Sequence, residues 1–191
     1  MIGLKISEVD RLRIMEAYRQ VPKQVNIAAR AAVRRTVTHV KKEISVKTRK
    51  VYIVKASHVK AALTVEKPKG SSLMASVKAM GRTVPLSGFR VSFSRTKLPK
   101  PVRVKIKRTG SPKPVRGLFA NDFPKSGYSG LMHRRQPSRY PLRTPAGPSV
   151  PQMVEKPEVF NSVERESESY LARRFLHEVE YRLARAPKGG N

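Results

Sequence analysis

The chain has no cysteine and no tryptophan, and between Lys67 and Val150 it has one acidic residue, Asp122, against 19 lysines and arginines. Without cysteine there can be no disulfide, thiolate metal ligand or cysteine nucleophile, and the lack fits a reducing compartment. Aromatic residues are 6% and apolar residues 39% of the 191 positions, so the core is expected to be small and to lean on neighbouring copies or partners. No apolar run approaches a membrane span. The start, Met1 to Asp10, lacks the roughly 7–15 apolar residues of a signal peptide and turns acidic at Glu8. A soluble protein, made where it works, is the expectation.

Charge is what the sequence has in excess. There are 41 basic and 13 acidic residues, a formal +28. In residues 151–191 seven acidic and seven basic residues cancel, so the whole excess lies in residues 1–150. Such a surface repels itself and favours polyanions or an acidic protein face. Composition alone points to nucleic acid, because phosphate contacts by Lys and Arg supply most non-specific affinity. Most of the 15 prolines and 11 glycines fall between residues 68 and 151, which predicts turns, short strands and irregular chain there.

Residues 7–45 read as helical. Ser7 and Asp10 resemble a capping pair, and Val9, Leu12, Met15 and Tyr18 recur at helical spacing. Pro22 suits the first turn of a second helix. Its apolar stripe is Val25, Ala28, Ala29, Ala32, Val33, Thr36, Val37, Val40 and Ile44. Arg30, Arg34, Arg35, Lys41 and Lys42 form its other face, either a solvated face or one that meets a polyanion. Val51 to Val54 reads as a short strand, and Ser57 could cap a brief helix through Leu63. Extended chain follows at 64–68, then strand-like runs at 73–80 and 84–93, with a turn at Gly81-Arg82. Phe89 and Phe93 continue the apolar alternation and read as core rather than as a base-stacking platform.

Val102 to Lys107 is the clearest alternation: Val102, Val104 and Ile106 on one side, Arg103, Lys105 and Lys107 on the other. It is either an edge strand guarded by cations or a partner-binding face. Residues 94–101 and 108–116, basic and proline-containing, read as an exposed hairpin arm. Gly117-Leu-Phe-Ala and the run from Gly130 predict two more strands joined by a turn at 126–130, and residues 138–151 little regular structure. From Glu155 to Arg185 the pattern is helical again, with Ser162, Ser167 and Ser169 allowing a kink or a break. Glu178 and Arg182 stand at pairing distance on it.

No catalytic constellation emerges, and no cofactor is implied. His39, His58, His133 and His177 lack metal-ligand spacing, and His39 with Glu43 reads as a surface pair. Paired carboxylates are missing from the central region, and no glycine-rich loop precedes a lysine and a helix. Nucleic-acid modules fail as well: there is no zinc finger, basic leucine-zipper pattern or RNA-binding aromatic pair. Binding to nucleic acid would have to go through its backbone.

The middle of the chain resembles the minor tail protein Z family of tailed phages and prophages. The stretches that carry this are Tyr52-Ile-Val-Lys-Ala-Ser-His-Val-Lys-Ala-Ala-Leu, Leu73-Met-Ala-Ser-Val and Val84-Pro-Leu-Ser-Gly-Phe. After a basic strand come Gly117-Leu-Phe-Ala, the hydrophobic-His-Arg-Arg run at 131–135, Arg139-Tyr-Pro-Leu and Gly147-Pro-Ser-Val-Pro-Gln-Met. Together they span most of residues 20–155. The resemblance implies a structural virion protein, not an enzyme, that forms an oligomeric ring at the head-proximal end of the tail and completes it. It also implies partners among tail terminator, tube and neck proteins, with possible non-specific contact with DNA passing through, and no membrane or small-molecule ligand. Location follows: the virion tail, and the host cytoplasm during assembly. A cellular nucleic-acid-binding protein, ribosome- or DNA-associated, is the alternative.

The expected fold is α+β: N-terminal helices, a central, mostly antiparallel sheet over about 51–142 with a projecting basic hairpin near 94–116, and a long C-terminal helix across it. In domain terms this is a basic tail-protein domain at 1–154, a helix at 155–185 and a flexible end at 186–191, with Gly147–Met153 positioning the helix. The expected partner- or DNA-facing surface is Arg95, Lys97, Lys100, Arg103, Lys105, Lys107, Arg108, Lys113 and Arg116, with Arg134, Arg135 and Arg139 as a second patch.

Overall fold

A computed structural model describes residues 8–70, 72–92, 102–123, 128–134, 136–138 and 140–185. The fold is α+β, with helices at both ends, small antiparallel sheets between them and a long C-terminal helix. The chain divides into two units, residues 1–44, 63–78 and 160–191 in one and 45–62 and 79–159 in the other. The second unit holds 22 basic and 3 acidic residues, +19, against 19 and 10, +9, in the first.

The first unit is mainly helical. Helices α1 (Glu8–Gln20) and α2 (Pro22–Val51) are separated by Val21, and α2 opens on the proline whose missing N–H costs nothing at a helix start. The expected cap at Ser7 lies outside the described residues. The stripe of α2 is buried as its spacing requires: Val25, Ala28, Ala32, Thr36, Val37 and Ile44 are inside, with Ala29, Val33 and Val40 half-buried. On α1 the structure reverses the expectation. Val9, Leu12, Met15 and Tyr18 are exposed, while Ile14 and Ala17 pack with Val25 and Ala28 of α2 and with Val179 and Phe175 of the C-terminal helix. Small Ala17 and Ala28 let the helix backbones approach, which the bulkier stripe would prevent.

That C-terminal helix, α5 (Pro157–Leu183), is unbroken and about 40 Å long at about 1.5 Å per residue. Ser167 does not interrupt it, because its buried hydroxyl donates to the Val163 carbonyl at 2.6 Å. From Phe160 onward α5 belongs to the helical unit and packs there, where the sequence suggests a helix lying across a sheet. The same unit includes β1 (Leu63–Glu66), paired with β2 (Ser76–Ala79). Lys78 Nζ and the Ser76 hydroxyl donate to the two oxygens of Glu66, at 2.6 and 2.8 Å, and hold its carboxyl below the usual range.

In the second unit the helix α2 runs on to Val51, so residues 51–54 are not the expected strand. The Tyr52 amide still donates to Thr48, and pairing beyond it is one bridge wide, between Tyr52 and Lys107. Helix α3 (Ala56–Ala61) follows, capped at Lys55 without a side-chain bond, so the expected Ser57 cap does not form. Instead of one central sheet there are several small ones. β3 (Thr83–Pro85) pairs with β10 (Ala146–Ser149). A 3-10 turn, Leu86–Gly88, then interrupts the alternation read over 84–93. β4 (Arg90–Ser92), β5 (Val102–Lys105) and β6 (Lys113–Val115) form an antiparallel sheet with β5 in the middle. β7 (Leu118–Phe123), β8 (Tyr128–Arg134) and β9 (Leu142–Arg143) form another.

Residues 138–151 carry more structure than their prolines suggest. β9 and β10 lie there, and α4 (Val150–Val154) opens on a capping box in which the Ser149 amide donates to Gln152 Oε1 at 2.9 Å and the Gln152 amide to Ser149 Oγ at 3.4 Å. Val150 and Met153 are buried behind this cap. The segment Gly147–Met153 therefore ends a strand and begins a helix just before α5.

Candidate cationic interface

Register decides which cations share a surface. Val102 and Val104 of β5 are buried, so Arg103 and Lys105 point to the opposite, outer face. Arg90 of β4 lies directly across from Lys105, and Ser92 across from Arg103. Arg90, Arg103 and Lys105 therefore form one cationic face, and among the described residues none of the three makes an ion pair. β5 is bonded on both sides, so its charges are not guards on an open edge. Like charges directly opposite each other in a sheet are destabilising, by an amount on the order of 0.2–1 kcal/mol at exposed sites. Among the described residues no acidic side chain pairs with this face to relieve that repulsion.

The other expected residues fall elsewhere. Lys107 Nζ stands 5.8 Å above the Tyr52 ring and 4.0 Å from Glu158, and Arg108 Nε donates to the Arg49 carbonyl at 2.8 Å in the last turn of α2. Arg108 completes the end of α2, where cations meet unpaired carbonyls, while Lys107 is held by Tyr52, just past that end, and by Glu158. Burial, and then the Glu158 charge, raises the Tyr52 phenol above its ordinary pKa. Lys113 is opposite Val104 and so shares the valine side of the sheet at its exposed rim. Arg116 is exposed in the turn before β7. Arg134 lies over the Phe119 ring at 5.4 Å on the β7–β8–β9 sheet. Arg95, Lys97, Lys100, Arg135 and Arg139 lie outside the described residues.

Two cations escaped the sequence reading. Arg90 could have been found from its parity with Ser92 around Val91. Arg143, across from His133, had no local signal.

The stretches that carry the family resemblance meet one another. The Lys55 amide donates to the Gly88 carbonyl, and a Cβ at Gly88 would stand 3.0 Å from His58 Nε2 and 2.7 Å from Val84 Cγ1. A Cβ at Gly147 would stand 2.6 Å from the Phe89 ring. At Gly117, φ +72°, a Cβ would stand 3.2 Å from the His133 ring. These motifs are therefore packing devices in which glycine admits a ring or an imidazole. Phe89 is core, as its parity suggested. Leu73 and Met74, in the exposed segment before β2, and Tyr140 turn outward.

The histidines are dispersed: His39 stacks on Tyr170 at 3.9 Å, His58 and His133 fill glycine gaps, and His177 is exposed on α5. Among the described residues no three His, Asp or Glu side chains gather as a metal site would, and no helix is long and apolar enough to cross a membrane. On α2, Arg35 and His39 face α5, with Arg35 Nε 3.2 Å from Glu178 and His39 Nε2 4.0 Å from Glu166. Comparison of the chain with protein-family models, with curated proteins and with solved structures finds no match.

Proposed function

We propose that this chain is a structural protein of a tailed-phage or prophage-derived particle, a minor tail protein that assembles as an oligomer at the head-proximal end of the tail. There it completes the tail and supports head–tail joining and DNA passage. The observation that supports the reading is the Arg90–Arg103–Lys105 face: a sheet surface of like charges that has no ion pair among the described residues and that an anionic neighbour would relieve. The ordered resemblance to minor tail protein Z supplies the kind of particle. An acidic neighbouring protein is the favoured counterpart, because the face offers charge without a base-reading device.

The test replaces Arg90, Arg103 and Lys105 together with Glu in the phage or prophage. The variant chain is expected to fold, since Arg90 and Arg103 are exposed and Lys105 is half-buried, and surface substitutions change stability by about 0.5 kcal/mol each. Tails should stay unfinished and infectious titre should fall by orders of magnitude. Normal tails at normal titre overturn the proposal. Tight, steeply salt-dependent binding of RNA or DNA by the isolated chain, with no association with tail proteins, would instead favour a cellular nucleic-acid-binding protein.

A further inference from the structure

The helical unit holds a second cationic feature, a cleft between α2 and α5. Arg35 comes from α2, and Arg174, His177, Glu178, Tyr181 and Arg182 come from α5. The sequence suggests that Glu178 pairs with Arg182, one turn further on. It does not. A single oxygen, Glu178 Oε1, is 2.8 Å from Arg174 Nη2 and 3.2 Å from Arg35 Nε, and Arg182 makes no ion pair among the described residues. Three guanidinium groups thus line a recess whose one carboxylate pairs with two of them, an excess of +2.

Burial makes that excess specific. The Nε–H groups of Arg174 and Arg182 are both buried and have no hydrogen-bond partner among the described residues. A buried donor without an acceptor carries its full desolvation penalty, and a buried charge is ordinarily paired. Those Nε atoms lie below the surface, so a visiting carboxylate would meet the accessible remainder of the two guanidinium groups, the Arg174 side chain being 19% exposed and Arg182 having no counterion among the described residues.

We infer that this cleft is a docking site for a carboxylate side chain from an acidic segment of a partner protein, taken up by Arg182 and Arg174 beside Glu178. The planar guanidinium fork matches a planar carboxylate. Nucleic acid fits less well. Its phosphates form a continuous row that needs an unbroken cationic track, whereas α5 from Phe160 to Leu183 interleaves five glutamates with four arginines. A single acidic side chain can enter between them. The inference stands whether or not the chain belongs to a phage particle, because it uses none of the residues of the cationic sheet.

The experiment titrates the isotope-labelled full chain with hexaglutamate at low ionic strength and follows the arginine Nε–H resonances. Saturable shifts are expected at Arg174 and Arg182, and Arg182→Gln should weaken this binding by about tenfold. Shifts that grow linearly without saturating, or equal affinity in the Arg182→Gln chain, overturn the inference. Should that variant lose its fold, Arg182→Lys keeps the charge without the fork, and unchanged affinity in it overturns the inference equally. A duplex oligonucleotide that moves the same two resonances at lower concentration than hexaglutamate also overturns it, by assigning the cleft to phosphate.

Discussion

Glu178→Gln probes the centre of the helical unit with almost no change of shape. The wild-type carboxylate is buried, its side chain 5% exposed, and the Arg174 side chain it holds is 19% exposed. Removing one member of a buried pair costs about 3–5 kcal/mol, chiefly because the other charge stays buried without a counterion. Glutamine keeps an acceptor at the Oε1 position, and Arg174 is not wholly dry, so the expected loss is about 2–3 kcal/mol. Arg35, the other partner, is 59% exposed. Arg35→Gln should therefore cost about 0–1 kcal/mol, as for exposed pairs. For a chain of this length each kcal/mol moves the thermal midpoint by about 2–4 °C, so Glu178→Gln should lower it by about 4–12 °C and Arg35→Gln by about 4 °C at most. Calorimetry on both variants, and on Arg174→Gln and the Glu178→Gln/Arg174→Gln double variant, makes the comparison. The double variant should recover about 1 kcal/mol or more of the summed single losses. Equal losses for Arg35→Gln and Glu178→Gln, or a coupling under about 0.3 kcal/mol, would refute the reasoning.

Three further outcomes follow from other contacts. Gly147→Ala should cost about 1–3 kcal/mol, because the new Cβ would stand 2.6 Å from the Phe89 ring. With Phe89→Leu in the same chain the combined loss should be smaller than the sum of the two single losses, and strict additivity would remove the contact from the account. Thr48→Val should raise stability by about 1 kcal/mol in urea unfolding, since Thr48 is fully buried and its hydroxyl has no partner among the described residues. A loss of stability there would reveal an acceptor for that hydroxyl. Tyr52 is an acid whose folded pKa lies above the ordinary 10.0, so the native state holds its proton more tightly. Its stabilising effect is complete below that ordinary value and disappears as pH rises through the folded one. Tyr52→Phe should therefore flatten the fall of the urea midpoint at alkaline pH, and parallel curves for the two chains would contradict the assignment.

Much of the architecture can be read from local pattern, and the exceptions have physical causes. The stripe from Val25 to Ile44 identifies the buried side of α2, and the alternation of Val102 and Val104 identifies the buried side of β5, because each period records which side meets water. The same rule misleads on α1, where Val9, Leu12, Met15 and Tyr18 are spaced correctly but small Ala17 is what allows close packing. The capping box of Ser149 and Gln152, ahead of buried Met153, was missed because proline content pointed to irregular chain. The candidate surface was half legible. Arg103 and Lys105 follow from parity, while Lys107 and Arg108 look the same in sequence and are held at or just past the end of α2 instead.

By itself the sequence determined the helical ends, the strand-forming middle and the uneven placement of charge, since these depend on residues within a few positions of one another. Tertiary structure alone decided that Arg90 stands across from Lys105, that Glu178 takes Arg174 and Arg35 rather than Arg182, and that Phe89 rests on Gly147. Strand register and helix rotation about the axis are set by contacts between residues far apart along the chain. Periodicity tells which side of an element is buried and leaves unstated what is on the other side of the contact.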